Sequence, residues 1–118
     1  MATPNKVIEY VDKLKINAYA EEEKFQWLCA LDGLVKRLVV QDAESVDLEY
    51  PKDMDTELLV PHPFDDVYAL YLEAMIDLHN KEYGSYNNTI LVYNTRMDEF
   101  KKAYIREHRP KSAGPVRL

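Results

Sequence analysis

The chain is poor in the residues that build disulfide scaffolds and turn-rich sheets. Of its 118 residues one is cysteine and three are glycine. Cys29 alone makes no internal disulfide, so nothing in the sequence asks for an oxidising compartment. So little glycine argues against an all-β fold with many tight turns. No apolar run approaches the length of a membrane span, and MATPNKVIEYVDK becomes charged within a few residues, unlike a secretory leader. The expectation is a single domain without leader or membrane segment, large enough for a core of its own.

What the chain has in excess is tyrosine and an uneven charge. Nine tyrosines and a net charge of -6 accompany a sequence pI near 5.0. Residues 41–66 carry nine acids against Lys52 alone, whereas residues 94–118 carry seven bases against three acids. Overall acidity argues against a primary nucleic-acid binder, which would need a basic stripe. Tyrosine combines a large ring with a polar tip, so a surplus of it points to half-buried surfaces that accept a partner.

Hydrophobic spacing predicts helices. Thr3-Pro4 reads as an N-cap with proline at the first helical position, followed by Val7, Ile8, Val11 and Leu14 over about 4–15. Glu21, Glu22 and Glu23 open a second helix over 21–40, with Trp27, Leu28, Leu31, Leu34, Val35 and Leu38 as one stripe and Lys36 and Arg37 at its cation-favouring end. Gly33 within that stripe either permits a close helix crossing or is tolerated.

Pro51, Pro61 and Pro63 interrupt the pattern over 41–63. There Leu58, Leu59 and Val60 either pack back on the bundle or form a strand that pairs with another chain. A third helix, 64–83, carries one stripe through Val67, Leu70, Tyr71, Ala74, Met75 and Leu78 and a second through Tyr68, Leu72 and Ile76, as a central helix does. Gly84 is its expected cap. A fourth helix, 86–109, sets Tyr86, Ile90, Tyr93, Met97, Phe100 and Tyr104 on a heptad seam. Asn87-Asn88-Thr89 fits a glycosylation sequon and reads better as a set of caps at its start. Pro110 ends this helix. The fold class is therefore all-α: a small bundle of about four helices in one domain, 1–109, with a long loop between helices two and three and an extended C-terminal tail, 110–118.

Catalytic constellations are weak. His62, His79 and His108 do not pair with Cys29 or each other at metal-ligand spacing. His79 and Glu82, with Glu73 and Asp77 before them, invert the Glu-x-x-His order of di-iron bundles and occur once. Asp53, Asp55 and Glu57 alternate like a calcium loop but lack its glycine and distal glutamate. Cys29 has no basic neighbour in sequence to activate it. There is no phosphate loop and no nucleophile elbow. The expectation is a non-enzyme without metal or cofactor. An acidic cleft lined by Asp77, His79 and Glu82 is the arrangement that would reopen the question.

One stretch carries a resemblance. Asp55 to Tyr104 reads DTELLVPHPFDDVYALYLEAMIDLHNKEYGSYNNTILVYNTRMDEFKKAY. It is similar to small proteins of the structural-gene clusters of tailed phages and prophages of Gram-positive bacteria, whose text runs close to TELLVPxPYDxLYxLYLxAMIDxxNxEYxxYNNxxxxFNxxxxxF. Phe64 stands where tyrosine is common and Tyr93 where phenylalanine is. Trp27-Leu28 and the preceding short helix fit the same proteins more loosely.

Such proteins resemble the helical head–tail connector, or head-completion adaptor, family. The resemblance implies a structural virion protein of the neck, assembled in the bacterial cytoplasm. It would form a twelve-fold ring beneath the portal and contact a neck or tail-completion protein, with DNA passing through unread. Rival readings are a regulatory or chaperone-like helical interaction protein and, ranked lower, a β-rich neck stopper.

A ring needs one heterologous contact repeated to closure. The interaction residues expected from this reading are Leu58, Leu59, Val60, Tyr93, Phe100, Tyr104, Arg106, Arg109, Lys111 and Arg117. If the loop points inward, Glu44, Asp47, Glu49, Asp53 and Asp55 are its lumen-facing acids. The acidic loop and the basic end would then meet between neighbours or at the portal, the tail ordering on docking.

Overall fold

The computed structural model describes residues 2–40 and 48–107, and these are helical with no strand among them. Helix α1 spans Pro4–Leu14 and α2 spans Glu21–Val35, continued by a π-helical turn, Lys36–Val40. Helix α3 spans Asp66–His79 and α4 spans Tyr83–Glu107. The all-α bundle expected from the sequence is thus the fold of these residues.

Local chemistry sets the ends. The Thr3 hydroxyl accepts from the Lys6 amide at 3.3 Å, with Pro4 in the first turn, as the sequence predicts. Ala20 offers α2 no capping side chain, and Glu21, Glu22 and Glu23 complement its dipole instead. The α3 C-terminus departs from expectation. Lys81, at φ 62°, takes the left-handed position, while Gly84 lies inside the first turn of α4. The Lys81 amide donates to the Leu78 carbonyl at 3.1 Å and the Glu82 amide to the Asp77 carbonyl at 2.9 Å. This is the paired hydrogen-bond pattern of a left-handed cap, made here without glycine. The earlier turn also places Asn87-Asn88-Thr89 within α4 rather than at its start.

Helix α3 is central and packs against each of the other three. Its deepest residues are those of the second stripe, Tyr68, Leu72 and Ile76, joined by Val67 and Ala74. Leu70, Tyr71, Met75 and Leu78 are half-buried. The α4 seam behaves as its spacing predicts: Met97 and Phe100 are buried, and Tyr86, Ile90, Tyr93 and Tyr104 are half-buried.

The α2 stripe is corrected. Phe25, Leu28, Leu31 and Val35 face the core, but Leu34 and Leu38 are 52 % and 68 % exposed. Leu34 sits about 100° around the helix from Val35, and the π turn rotates the register again before Leu38. Among the described residues nothing lies within 4 Å of a Cβ added at Gly33, so no helix crossing among them requires that glycine.

Lys81→Gly relieves the left-handed backbone of a side chain that disfavours it. The substitution is expected to raise unfolding free energy by about 1 kcal/mol, read by urea denaturation at constant slope.

Candidate functional site

The segment 48–65 lies along the bundle, anchored by its own backbone. The Asn5 amide donates to the Met54 carbonyl and the Leu58 amide to the Ala2 carbonyl, both at 2.9 Å. The next two amides go to side chains. Leu59 donates to Asp32 Oδ1 at 3.0 Å, and Val60 donates to the Tyr68 hydroxyl at 2.8 Å. That hydroxyl donates in turn to Asp32 Oδ1 at 2.7 Å. One carboxylate on α2 and one phenol on α3 therefore clamp the loop to both helices. Burial, reinforced by the Asp32 charge and its hydrogen bond, pushes the Tyr68 phenol far above its ordinary value.

This geometry corrects part of the expected interface. Leu58, Val60 and Phe100 are buried in the core rather than offered to a partner. The amides of Leu58, Leu59 and Val60 are all bonded within the chain, so this stretch has none left to extend a neighbour's sheet. Leu59 and the half-buried Tyr104 do reach the surface. With Phe64 and the edge of Phe100 they line a groove of about 290 Å³ between residues 59–64 and the last turns of α4. Tyr93 is half-buried against Tyr71, ring centres 5.5 Å apart, and burial pushes its phenol up to about 12. Arg106 is exposed near the end of α4. Arg109, Lys111 and Arg117 lie outside the described residues, as do the tail 110–118 and the acids Glu44 and Asp47.

The remaining loop acids are partly engaged. Asp53 accepts from the Glu49 amide at 2.7 Å through Oδ2 and from the Thr56 hydroxyl at 3.2 Å through Oδ1, which makes it a turn-building residue. Asp55 accepts from Asn5 Nδ2 at 3.3 Å. The Glu49 side chain is exposed.

The acidic residues of α3 do not converge on a cleft. Asp77 is buried and its Oδ1 pairs with Lys15 Nζ at 3.0 Å, joining α3 to the end of α1. Its Oδ2 has no hydrogen-bond partner among the described residues. Burial raises the nearby Glu73 carboxyl, with Asp77 adding to the rise and Lys15 opposing it. His79 lies at the surface, stacked on Trp27 with ring centres 4.8 Å apart, and donates from Nδ1 to the Met75 carbonyl at 2.8 Å. Glu82 is exposed. Asp77 and His79 therefore face separate surroundings. Among the described residues, no group of three or more histidine, cysteine, aspartate or glutamate side chains is placed to hold a metal ion. No described helix is long and apolar enough to cross a membrane.

Besides the Asp32 clamp and the Lys15–Asp77 pair, sequence reasoning passed over two further polar centres. Arg96 on α4 contacts Asp66 at 3.0 Å, Glu99 at 3.3 Å and the Pro63 carbonyl at 3.1 Å, tying α4 to the start of α3 and to the loop. Lys24, buried at the start of α2, donates to Asp12 at 2.7 Å and Asn17 at 3.2 Å. Burial alone would raise the Asp12 carboxyl, but donors from Lys24 and Asn17 outweigh it and hold the group below its ordinary value. An apolar-periodicity argument has no term for either centre. The only available signals were Lys24 on the buried side of α2 and Asn17 in the break between helices.

Compared with known protein families, curated proteins and solved structures, the chain matches none.

Tyr68→Phe leaves the Val60 amide without its acceptor and removes one of the two donors to Asp32 Oδ1. The expected loss is about 2 kcal/mol in chemical denaturation. Lys15→Met strands the buried Asp77 carboxylate, at an expected cost of about 2 kcal/mol allowing for the lysine's partial exposure. Lys15→Met combined with Asp77→Leu is expected to recover most of that loss. A double variant no more stable than Lys15→Met would show that the pair is not what holds α1 to α3.

Proposed function

We propose that the chain is a non-enzymatic structural adaptor of the phage or prophage neck, which binds the portal ring and completes the head for tail attachment. The observation that carries this reading is the text of residues 55–104 and the use the fold makes of it. The Leu-Leu-Val-Pro segment is the part clamped by Asp32 and Tyr68. The Tyr-x-x-Tyr-Leu stretch supplies Tyr68, Tyr71 and Leu72 of the central helix. The Tyr-Asn-Asn stretch begins the partnered seam of α4. Residues of the quoted text thus contribute to the framework of the bundle, which supports reading them as one unit rather than a single motif.

An adaptor needs surfaces more than a pocket. Leu34, Leu38, Leu91 and Ile105 are large apolar side chains left at the surface, and charge is segregated along the chain. In this reading copies form a ring, twelve-fold by resemblance, with the portal on one side and a neck or tail-completion protein on the other. DNA passes through without sequence-specific contact. The basic segment 110–118 is the proposed docking element for the portal, and the protein resides in the virion neck. The helical character of the described residues weighs against the β-rich stopper. A regulatory or chaperone-like helical protein would use the same surfaces without a portal.

The experiment is tail joining by packaged, portal-containing heads that lack this protein. The full chain is expected to restore joining, and a chain ending at Arg109 to remain folded by circular dichroism while failing to restore it. Joining that proceeds equally without the protein would overturn the adaptor reading. Joining restored by the shortened chain would overturn the role of the tail.

A further inference from the structure

The groove between residues 59–64 and the last turns of α4 has the chemistry of a proline-binding surface. Pro61, Pro63 and Phe64 line it from the loop, and Phe100, Ala103 and Tyr104 from the helix. The ring centres of Phe64 and Phe100 lie 6.0 Å apart and those of Phe100 and Tyr104 6.1 Å, so three aromatic rings stand in series. Aromatic-lined grooves take extended, proline-bearing segments, whose rings pack on the aromatic faces and whose backbone needs no internal hydrogen bonds. Among the described residues that line it, Glu107 is the one acid, and none is a lysine or arginine.

A segment that suits this surface leaves the bundle at its rim. Glu107 is both a lining residue and the last residue that the structure describes. Residues 108–118, HRPKSAGPVRL, follow it. They bring Pro110, Pro115, Val116 and Leu118 as apolar groups and Arg109, Lys111 and Arg117 as bases, with no acid. Pro110 disfavours a helical Arg109 and so gives the chain a place to turn back. Extended, residues 111–118 reach about 25 Å. The groove face of α4 from Phe100 to Glu107 is only about 10 Å long. The smaller groove of about 90 Å³ between the end of α2 and α4, lined by Leu34, Leu38, Tyr93 and Met97, is a poorer match, because Lys101 also lines it and repels a basic segment.

We propose that residues 110–118 fold back on their own chain and seat Pro115, Val116 and Leu118 in the groove at the end of α4, with the bases of the segment beside Glu107. A tether this short supplies the segment at an effective concentration of about 1 mM, which favours its own groove over that of another copy in dilute solution. Groove and portal then compete for the same residues, and the segment stays covered until a portal ring presents the better surface. Only that competition rests on the adaptor reading.

The test is amide NMR of the isotope-labelled full chain beside a full-length variant carrying Val116→Asp and Leu118→Asp. The resonances of Phe64, Phe100, Ala103 and Tyr104 are expected to differ between the two, while those of Tyr68 and Leu72 stay in place and exclude loss of fold. A synthetic peptide of residues 110–118 is expected to return the variant's groove resonances toward their parent positions, with a dissociation constant of about 0.1 mM. It should bind the unsubstituted chain about tenfold more weakly, because that groove is already taken. Glu107→Lys in the variant is expected to weaken the peptide about threefold. Groove resonances identical in the two chains, or a peptide that binds both equally, would overturn the proposal. A difference that vanishes on dilution from about 500 μM to about 10 μM would assign the groove to another copy's segment and overturn the intramolecular contact. A chain whose groove responds to the segment but which fails to restore head joining would leave this contact standing and remove the adaptor reading. Restored joining with a groove indifferent to the segment would do the reverse.

Discussion

A single carboxylate oxygen organises the middle of this molecule. Asp32 Oδ1 receives the Tyr68 hydroxyl and the Leu59 amide, and the same hydroxyl receives the Val60 amide. Three segments that share no secondary structure, α2, α3 and the proline-rich loop, thereby hold one another at fixed spacing. Buried polar groups of this kind are costly unless satisfied. Here the satisfaction is mutual, and it sets Leu58 and Val60 into the core. It also decides what the loop cannot do, since a backbone whose amides are bonded inside the chain has no strand edge to lend.

The other polar ties follow the same logic at the margins of the bundle. Lys15 and Asp77 join α1 to α3, Lys24 with Asp12 and Asn17 shapes the turn between α1 and α2, and Arg96 draws α4 onto the loop and the start of α3. Apolar burial supplies the driving force, and these directional contacts fix how the helices and the loop meet at the margins. Two apolar residues are left outside, Ile16 by the turn it occupies and Leu38 by the π turn that carries it off the core face.

The sequence was legible where one periodicity governed. The α4 seam, the double stripe of α3 and the Thr3-Pro4 start of α1 all follow from spacing and capping chemistry. It was illegible where a long-range polar contact intervened. Leu34 and Leu38 looked equivalent to Leu31 on a helical stripe, yet the register change and the position of α4 expose them. Gly84 was the natural residue for a left-handed cap, and Lys81 occupies that conformation instead. Of the residues expected at an interface, Leu59, Tyr93 and Tyr104 do reach a groove, while Leu58, Val60 and Phe100 satisfied the same hydrophobic criterion by being core. Local pattern does not distinguish an apolar residue buried by its own chain from one awaiting another chain.

The short reversal between α3 and α4 bears on how the chain comes together. Two long helices joined by three residues close a loop of almost minimal entropy, and they share the most extensive helix pairing in the molecule. The contacts that bring in the first half of the chain close far longer loops, with sequence separations of 27 from Asp32 to Leu59, 36 from Asp32 to Tyr68 and 62 from Lys15 to Asp77. Loop-closure entropy therefore favours the hairpin as the early-forming unit, with α1, α2 and the proline-rich segment added onto a surface already built. The C-terminal half acts as a template and the N-terminal half as its cladding.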